Sequence, residues 1–321
     1  MTNHTVLVSV VICTRNRNED LRRCLESLQM YKDRDDVEVL VVDDKSSTSH
    51  AGEVVARYPN CRYFKDLGLG QGQAKNIGIR EALGNYIAFT DDDVVVQPNW
   101  LENLIRNFDD PKVGYVSGQV RAWELETEAQ RIFENLAILS KGEQRKTFDG
   151  KFFHQFRLRG VPVHLIGMGA NSAAPKHLLL EVGLHDPLFG VGSLSEGSET
   201  GDLCYRILRQ GYCAVFDPTA VVEHCHPRTR GSLQRKMYTY GKADTVTQTK
   251  FLLQYGDWRS LLDLVVNRPY RQAKKVVESI FGKRKTPFDL ILCEAIGNWI
   301  GPWAYLRALW FARRLELDGK A

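Results

Sequence analysis

The chain has no glycine behind its first apolar run. Residues 6–12 end in Cys13-Thr14-Arg15-Asn16-Arg17, where a dinucleotide fold needs G-x-G-x-x-G so that backbone can approach a pyrophosphate. A G-x-x-x-x-G-K-[ST] phosphate loop is also missing. Nicotinamide and P-loop chemistry are therefore disfavoured. There are seven cysteines but no C-x-x-C. Several lie in apolar runs, so buried thiols in a reducing compartment are expected. No charged-then-apolar leader precedes the first run, because Met1–His4 leads straight into it. The expected location is cytoplasmic. Long uninterrupted apolar runs are lacking too. A spanning helix needs about 20 mostly apolar residues, and the run 290–311 is broken by Glu294, Asn298, Pro302 and Arg307. It reads as an amphipathic helical hairpin, broken near Gly301-Pro302. This hairpin either packs on the main domain or lies at a membrane interface on the inner face. Trp299, Trp303, Trp310 and Arg313-Arg314 speak for the second. Internal repeats and low-complexity segments are absent.

Charge is nearly balanced, with a net +4 and 26% charged residues. The basic groups Arg271, Lys274, Lys275 and Lys283-Arg284-Lys285 read as a solvated helix face or as a contact for anionic lipid. They lack interleaved aromatics, so a nucleic-acid partner is not expected.

What is present is a core-forming 43% of hydrophobic residues and, over the first 120 residues, an alternation of two periods. Runs at 6–12, 38–42, 61–65, 86–90 and 113–116 have strand length. Between them, 18–30, 51–58, 73–83 and 100–108 place apolar residues at helical spacing. This alternation implies βαβ units, an α/β class and a mostly parallel sheet flanked by helices. Farther on, 124–141 and 202–209 read as helices and 163–166 as extended. Residues 213–216 and 220–222 read as two short strands around Asp217-Pro218. From 231 onward the chain reads as helical. Three stretches result: an α/β half at 1–120, a less regular half at 121–230 and a helical extension at 231–321.

In parallel sheets ligands bind beyond the carboxyl ends of the strands. Acidic residues gather at those ends: Asp43-Asp44, Asp66 and Asp91-Asp92-Asp93. Carboxylates two residues apart can face one hydrated divalent cation, and that cation can hold a diphosphate.

Five segments, in this order and spacing, resemble the family 2 glycosyltransferases of GT-A fold. They are Val10-Val11-Ile12-Cys13-Thr14-Arg15-Asn16-Arg17, Val41-Val42-Asp43-Asp44-Lys45-Ser46, Ala74-Lys75-Asn76-Ile77-Gly78, Phe89-Thr90-Asp91-Asp92-Asp93 and Asp202-Leu203-Cys204-Tyr205-Arg206. The resemblance spans about 6–226 and implies that 1–120 is the nucleotide-sugar-binding half and 121–230 the acceptor-binding half of one domain. It implies inverting sugar transfer from a nucleotide-diphosphate sugar, most readily a UDP-sugar, to a glycan or lipid-linked acceptor, with Mg2+ or Mn2+ as cofactor. It further implies that Thr14, Arg15 and Asn16 line the nucleotide pocket and that Asp44 accepts from base or ribose. Lys75 and Asn76 would sit near base and diphosphate. Asp91 and Asp93 match the D-x-D motif, with Asp92 toward ribose or sugar and Asp93 on the metal. His224 would be a third ligand, with His226 next. Asn171 matches a segment on the acceptor side, although an asparagine also suits a tight turn.

The chain departs from the family at the catalytic base. In Gly197-Ser198-Glu199-Thr200-Gly201-Asp202, Thr200 stands where an acid is usual, and a hydroxyl is no base near neutral pH. Glu199 is the base candidate. Asp202 is second choice, with helix capping as its alternative role, and Glu196 third. Thr200 also keeps a catalytically idle sugar-binding homologue in view. A sugar nucleotidyltransferase shares the α/β plan but wants a glycine-rich loop that 13–17 lacks.

Overall fold

The computed structural model describes residues 7–47 and 50–318, with side chains to 314. Val6 and the Met1–His4 stretch lie outside the described residues. The chain forms β1 (Val8–Thr14), α1 (Asn18–Ser27), β2 (Val37–Asp44), α2 (His50–Val55), β3 (Cys61–Asp66), α3 (Gln71–Glu81), β4 (Tyr86–Asp91), β5 (Val94–Val96) and α4 (Trp100–Ile105). Next come β6 (Val113–Ala122), α5 (Glu128–Asn135), β7 (Lys146–Phe148), α6 (Gly150–Gln155), β8 (Asn171–Pro175), α7 (Lys176–Glu181), α8 (Glu199–Arg209) and β9 (Cys213–His224). The C-terminal third is α9 (Arg230–Tyr255), α10 (Trp258–Leu262), α11 (Arg268–Ile280) and α12 (Phe288–Asp318).

Strand alternation divides the core between two faces. Val10 and Ile12 of β1 pack with Leu21 and Leu25 of α1, while Val11 turns to Ile79 of α3. This is the two-residue period of a sheet covered on both sides. The strands form one sheet ordered β3-β2-β1-β4-β8-β6-β9-β5, with β7 beside β9. Pairing is parallel among β3, β2, β1 and β4 and between β6 and β9. It is antiparallel where β8 joins β4 to β6 and where β5 and β7 meet β9. The sheet is thus mixed, with its longer ladders parallel and short antiparallel pairings joining and flanking them.

Several local expectations are corrected. The helix expected over 124–141 is only α5, opened by a capping box between Thr127 and Gln130. Ala137 then takes a φ of 50°, which no α-helix accommodates. Residues 163–166 form a 3-10 turn behind Pro162, and the strand is β8, made of small residues. The two short strands around Asp217-Pro218 are one strand, β9, with a register shift against Gly118/Gln119 of β6. The expected hairpin at Gly301-Pro302 is the continuous helix α12. Proline costs one backbone bond there, but packing along α9 runs through the site on both sides. Added Cβ atoms at Gly241, Gly297 and Gly301 would fall 2.2 Å from Glu294 O, 2.1 Å from Tyr238 O and 1.9 Å from Thr245 Oγ1. Such contact requires glycine and holds the two helices backbone to backbone.

Candidate functional site

Parallel register sets the strand exits side by side. Thr14 of β1 pairs with Asp43 of β2, and Cys13 with Asp91 of β4. Thr14, Asp44 and Asp91 therefore share one rim. After Asp91 the chain turns through Asp92-Asp93 into β5, which pairs Val94 with His224. The Cys225 N–H donates to Asp93 O at 3.0 Å. This short strand carries His224 to the acidic turn.

On the β2 side, Asp44 Oδ1 accepts from Gly70 N at 3.2 Å and Oδ2 lies 3.7 Å from the half-exposed Arg15 guanidinium. Burial raises the Asp44 carboxyl above its ordinary range, against the Gly70 hydrogen bond and Arg15. The loop following α7 closes this end: Gln71 N donates to Val191 O at 2.9 Å. Gly70, at φ 100°, has room for no side chain, since a Cβ would lie 2.5 Å from Ser193 N. Asn16, at φ 57°, ties the first exit to the second by accepting from Ser47 N at 2.8 Å.

The acidic turn is densely engaged. Gln71 Nε2 donates to Asp91 Oδ1 at 2.9 Å and Thr14 Oγ1 to Asp92 Oδ2 at 2.8 Å. Arg17 bridges Asp92 Oδ1 at 3.0 Å and Asp93 Oδ2 at 2.9 Å. Asp93 Oδ1 is buried, accepts no hydrogen bond and lies 3.6 Å from His224 Nε2. Burial raises the Asp91 carboxyl, against Lys75. It pushes the Asp92 carboxyl up to about 7, against Arg17. Burial, followed by Lys236, holds His224 down at about 3, so its imidazole is neutral. His224 Nδ1 meets His226 Nδ1 at 3.1 Å, and His226 Nε2 meets Glu134 Oε2 at 2.9 Å. Among the described residues no group of three or more His, Cys, Asp or Glu side chains is assembled to hold a metal ion. Arg17 and Gln71 occupy the oxygens that would form one. The bare Asp93 Oδ1 facing a neutral imidazole does suit a cation, since both are uncommitted donors.

Glu199 opens α8, behind the Ser198 cap that accepts from Gly201 N. Its Oε1 takes hydrogen bonds from Lys75 Nζ at 2.9 Å and Thr200 Oγ1 at 3.2 Å. Burial pushes this carboxyl up, but Lys75 outweighs burial and leaves it below its ordinary value. Gly169 leaves this group open, as a Cβ there would sit 3.2 Å from Lys75 Nζ and 3.5 Å from Glu199 Oε1.

Other expected site residues are engaged within the fold. Lys75 is buried against Glu199 rather than presented to a nucleotide. Asn76 exchanges hydrogen bonds with the His185 backbone, at 2.8 and 2.9 Å. Asn171 is fully buried. Its side chain accepts from Trp100 Nε1 at 2.8 Å and donates to Gln119 O at 2.9 Å and Ala220 O at 2.8 Å. It therefore braces the sheet and has no polar atom left for an acceptor. Asp202 neither caps α8 nor reaches the cleft. It is fully buried and pairs with Arg206 at 2.9 Å and Lys250 at 2.8 Å. Glu196 pairs with Lys242 at 2.8 Å.

Four residues at the site were not singled out from sequence. Arg17 and Gln71 had local signals, one directly after β1 and the other at the end of the glycine-rich loop. Lys236 and Tyr240, one turn apart on α9, had none. The Lys236 ammonium lies 5.9 Å from the Tyr240 ring centre. It is raised first by Tyr240, against burial, and then by Asp93 and Asp91, which it faces.

Residues 9–166 match the family model described as "Glycosyl transferase family 2". The chain is 26% identical over 247 residues to the pre-mycofactocin glycosyltransferase of Mycobacterium tuberculosis, covering 74% of this chain and 46% of that protein. It thus spans about half the length of that curated relative. The mannosyltransferase PcManGT from Pyrobaculum calidifontis, in complex with GDP-Man and Mn2+, superposes with a TM-score of 0.61 at 19% identity, over 91% of this chain and 86% of that chain. GalNAc-T7 with UDP, GalNAc and Mn2+ superposes with a TM-score of 0.52 at 17% identity, over 80% and 54%. At these identities the superpositions show a shared fold.

Proposed function

The chain belongs to glycosyltransferase family 2, and from that premise we propose that it moves a sugar, with inversion, from a UDP-sugar to a glycan or lipid-linked acceptor. We place this reaction in the cytoplasm, with peripheral contact at the inner face of a membrane. One observation carries the reading: Glu199, kept ionised by Lys75, and the bare Asp93 Oδ1 beside His224 both lie around Asp91. A proton acceptor and a cation seat would thus stand on two sides of one carboxylate.

Arg15 and Asp44 at the β1 and β2 exits hold the nucleoside, Asp44 accepting from base or ribose. Asp93, with Asp91 and His224, would hold Mg2+ or Mn2+, which when bound neutralises charge on the leaving diphosphate. Arg17 and Lys236 add fixed positive charge where that negative charge develops. Glu199 accepts the proton of the attacking acceptor hydroxyl, and Lys75 is the positioning residue that keeps Glu199 anionic in a buried place. The Gln71–Val191 backbone bond holds the loop against the nucleotide end.

Isothermal titration calorimetry of the full chain with UDP and GDP, with and without Mn2+, tests this. UDP is expected to bind more tightly when Mn2+ is present, and Asp93→Asn to abolish that difference. Absence of binding to either nucleoside diphosphate in both conditions overturns the reading.

A further inference from the structure

Helix α12 is apolar on two sides. One side, through Leu290, Ile291, Tyr305 and Ala308, is buried. Away from it, Leu292, Ile296, Trp299, Trp303, Leu306 and Trp310 follow one another at steps of four and three residues, which keeps them on one face. Their exposures are 47%, 45%, 73%, 72%, 44% and 55%. A helix apolar all round is ordinarily buried all round, and a contiguous stripe carrying three open tryptophans marks a contact surface. The end of α11 and the residue behind it add Val277, Ile280 and Phe281, exposed at 51%, 67% and 71%.

Charge decides what covers this face. Lys283 and Lys285 precede α12 and Arg307, Arg313 and Arg314 follow along it, all exposed. None of the five pairs with a carboxylate among the described residues. Arg307 and Arg314 instead lie over the Phe311 and Trp310 rings, at 5.5 and 5.3 Å. Among the described side chains, the acids nearest this face are already taken: Glu278 by Arg284, Glu294 by Lys275 and Asp289 by Arg230. A second copy related by a two-fold axis would bring these cations against one another. An anionic lipid surface neutralises them and accepts tryptophan at its interface. No helix among the described residues is long and apolar enough to cross a membrane, so contact is in the plane of the surface.

We propose that the outward face of α12, with the adjoining end of α11, docks the protein onto an anionic lipid surface. This gives the membrane contact of the proposed function a place and a chemistry, and rests on that reading.

The test is sedimentation of the full chain with vesicles, either pure phosphatidylcholine or phosphatidylcholine mixed with phosphatidylglycerol. The chain is expected to sediment with the mixed vesicles, with blue-shifted tryptophan emission, and to release as salt rises. The triple variant Trp299→Ser, Trp303→Ser, Trp310→Ser is expected to stay in solution. Arg313→Ala and Arg314→Ala are expected to weaken binding about fivefold each. Circular dichroism and UDP calorimetry on the same variants establish that they are folded and keep the donor site. Absence of both UDP and GDP binding in the unaltered chain would refute the transferase reading while leaving the vesicle result to stand. The docking proposal is overturned by a folded chain that ignores mixed vesicles at low salt, or by equal binding to pure phosphatidylcholine. A dimer that the tryptophan changes dissociate, with no vesicle binding, assigns the face to a second copy and equally overturns it.

Discussion

At the scale of single residues the site is governed by what neutralises each buried charge. Glu199 and Lys75 form one such unit. Glu199→Gln is expected to lower kcat by roughly 10²- to 10⁴-fold, the range for loss of a general base, with UDP affinity kept. In Lys75→Met burial of Glu199 loses its largest opposition, so the carboxyl rises. The acidic limb of kcat/KM then moves to higher pH, whereas a merely structural lysine would lower the plateau and leave the limb in place. His185 offers a separate pH test. Burial, followed by Lys75, holds it at about 3 against an ordinary 6.5. The unfolded chain takes up this proton as pH falls through 6.5 and the fold only near 3, so its contribution is whole above 6.5 and shrinks below. Denaturant melts at about pH 7 and pH 5 should differ less in His185→Phe than in the unaltered chain. That Asp44, Asp91 and Asp93 stand at or just past strand exits was legible in the sequence, because a strand's end can be read from a change of period. It could not disclose that Asn171 is spent on Trp100, Gln119 and Ala220, since those partners come from three other elements.

At the scale of elements, the first four parallel strands and their helices were legible because each apolar run ends in polar residues. Strand β8 was not, because Asn171-Ser172-Ala173-Ala174-Pro175 carries no large apolar side chain and becomes a strand through its neighbours β4 and β6. Helix α12 was misread for the converse reason: Pro302 is a local break signal, and only the partner helix α9 overrides it. The seam between them makes a definite prediction. Gly297→Val would drive a side chain into the Tyr238 carbonyl, a backbone atom that cannot rotate away. It is expected to destabilise by about 3 kcal/mol, the upper range for overpacking, seen as a lower denaturant midpoint.

At the scale of the whole molecule, the segment 231–321, proposed as distinct in role, is bound into the α/β body. Lys250 of α9 pairs with Asp202 at 2.8 Å and Asp186 at 2.7 Å, Gln248 donates to Val161 O at 3.0 Å and Thr247 accepts from Ser198 N at 3.1 Å. Lys250→Met leaves Asp186 without its cation and Asp202 with Arg206 alone, and should cost about 3–5 kcal/mol, measured by denaturant unfolding. Thermal unfolding of the unaltered chain is expected as one transition by circular dichroism and by tryptophan emission alike.

Arg17 spans Asp92 and Asp93, so a guanidinium already answers the charge that a divalent ion would need. An arriving ion has to compete with a tethered rival, whereas an arriving diphosphate offers that rival somewhere else to go. On the proposed function, ion and donor would be mutual conditions for tight binding, each sharpening the affinity of the other by one common factor. A site so built would filter for the pair and give either one alone only a loose welcome.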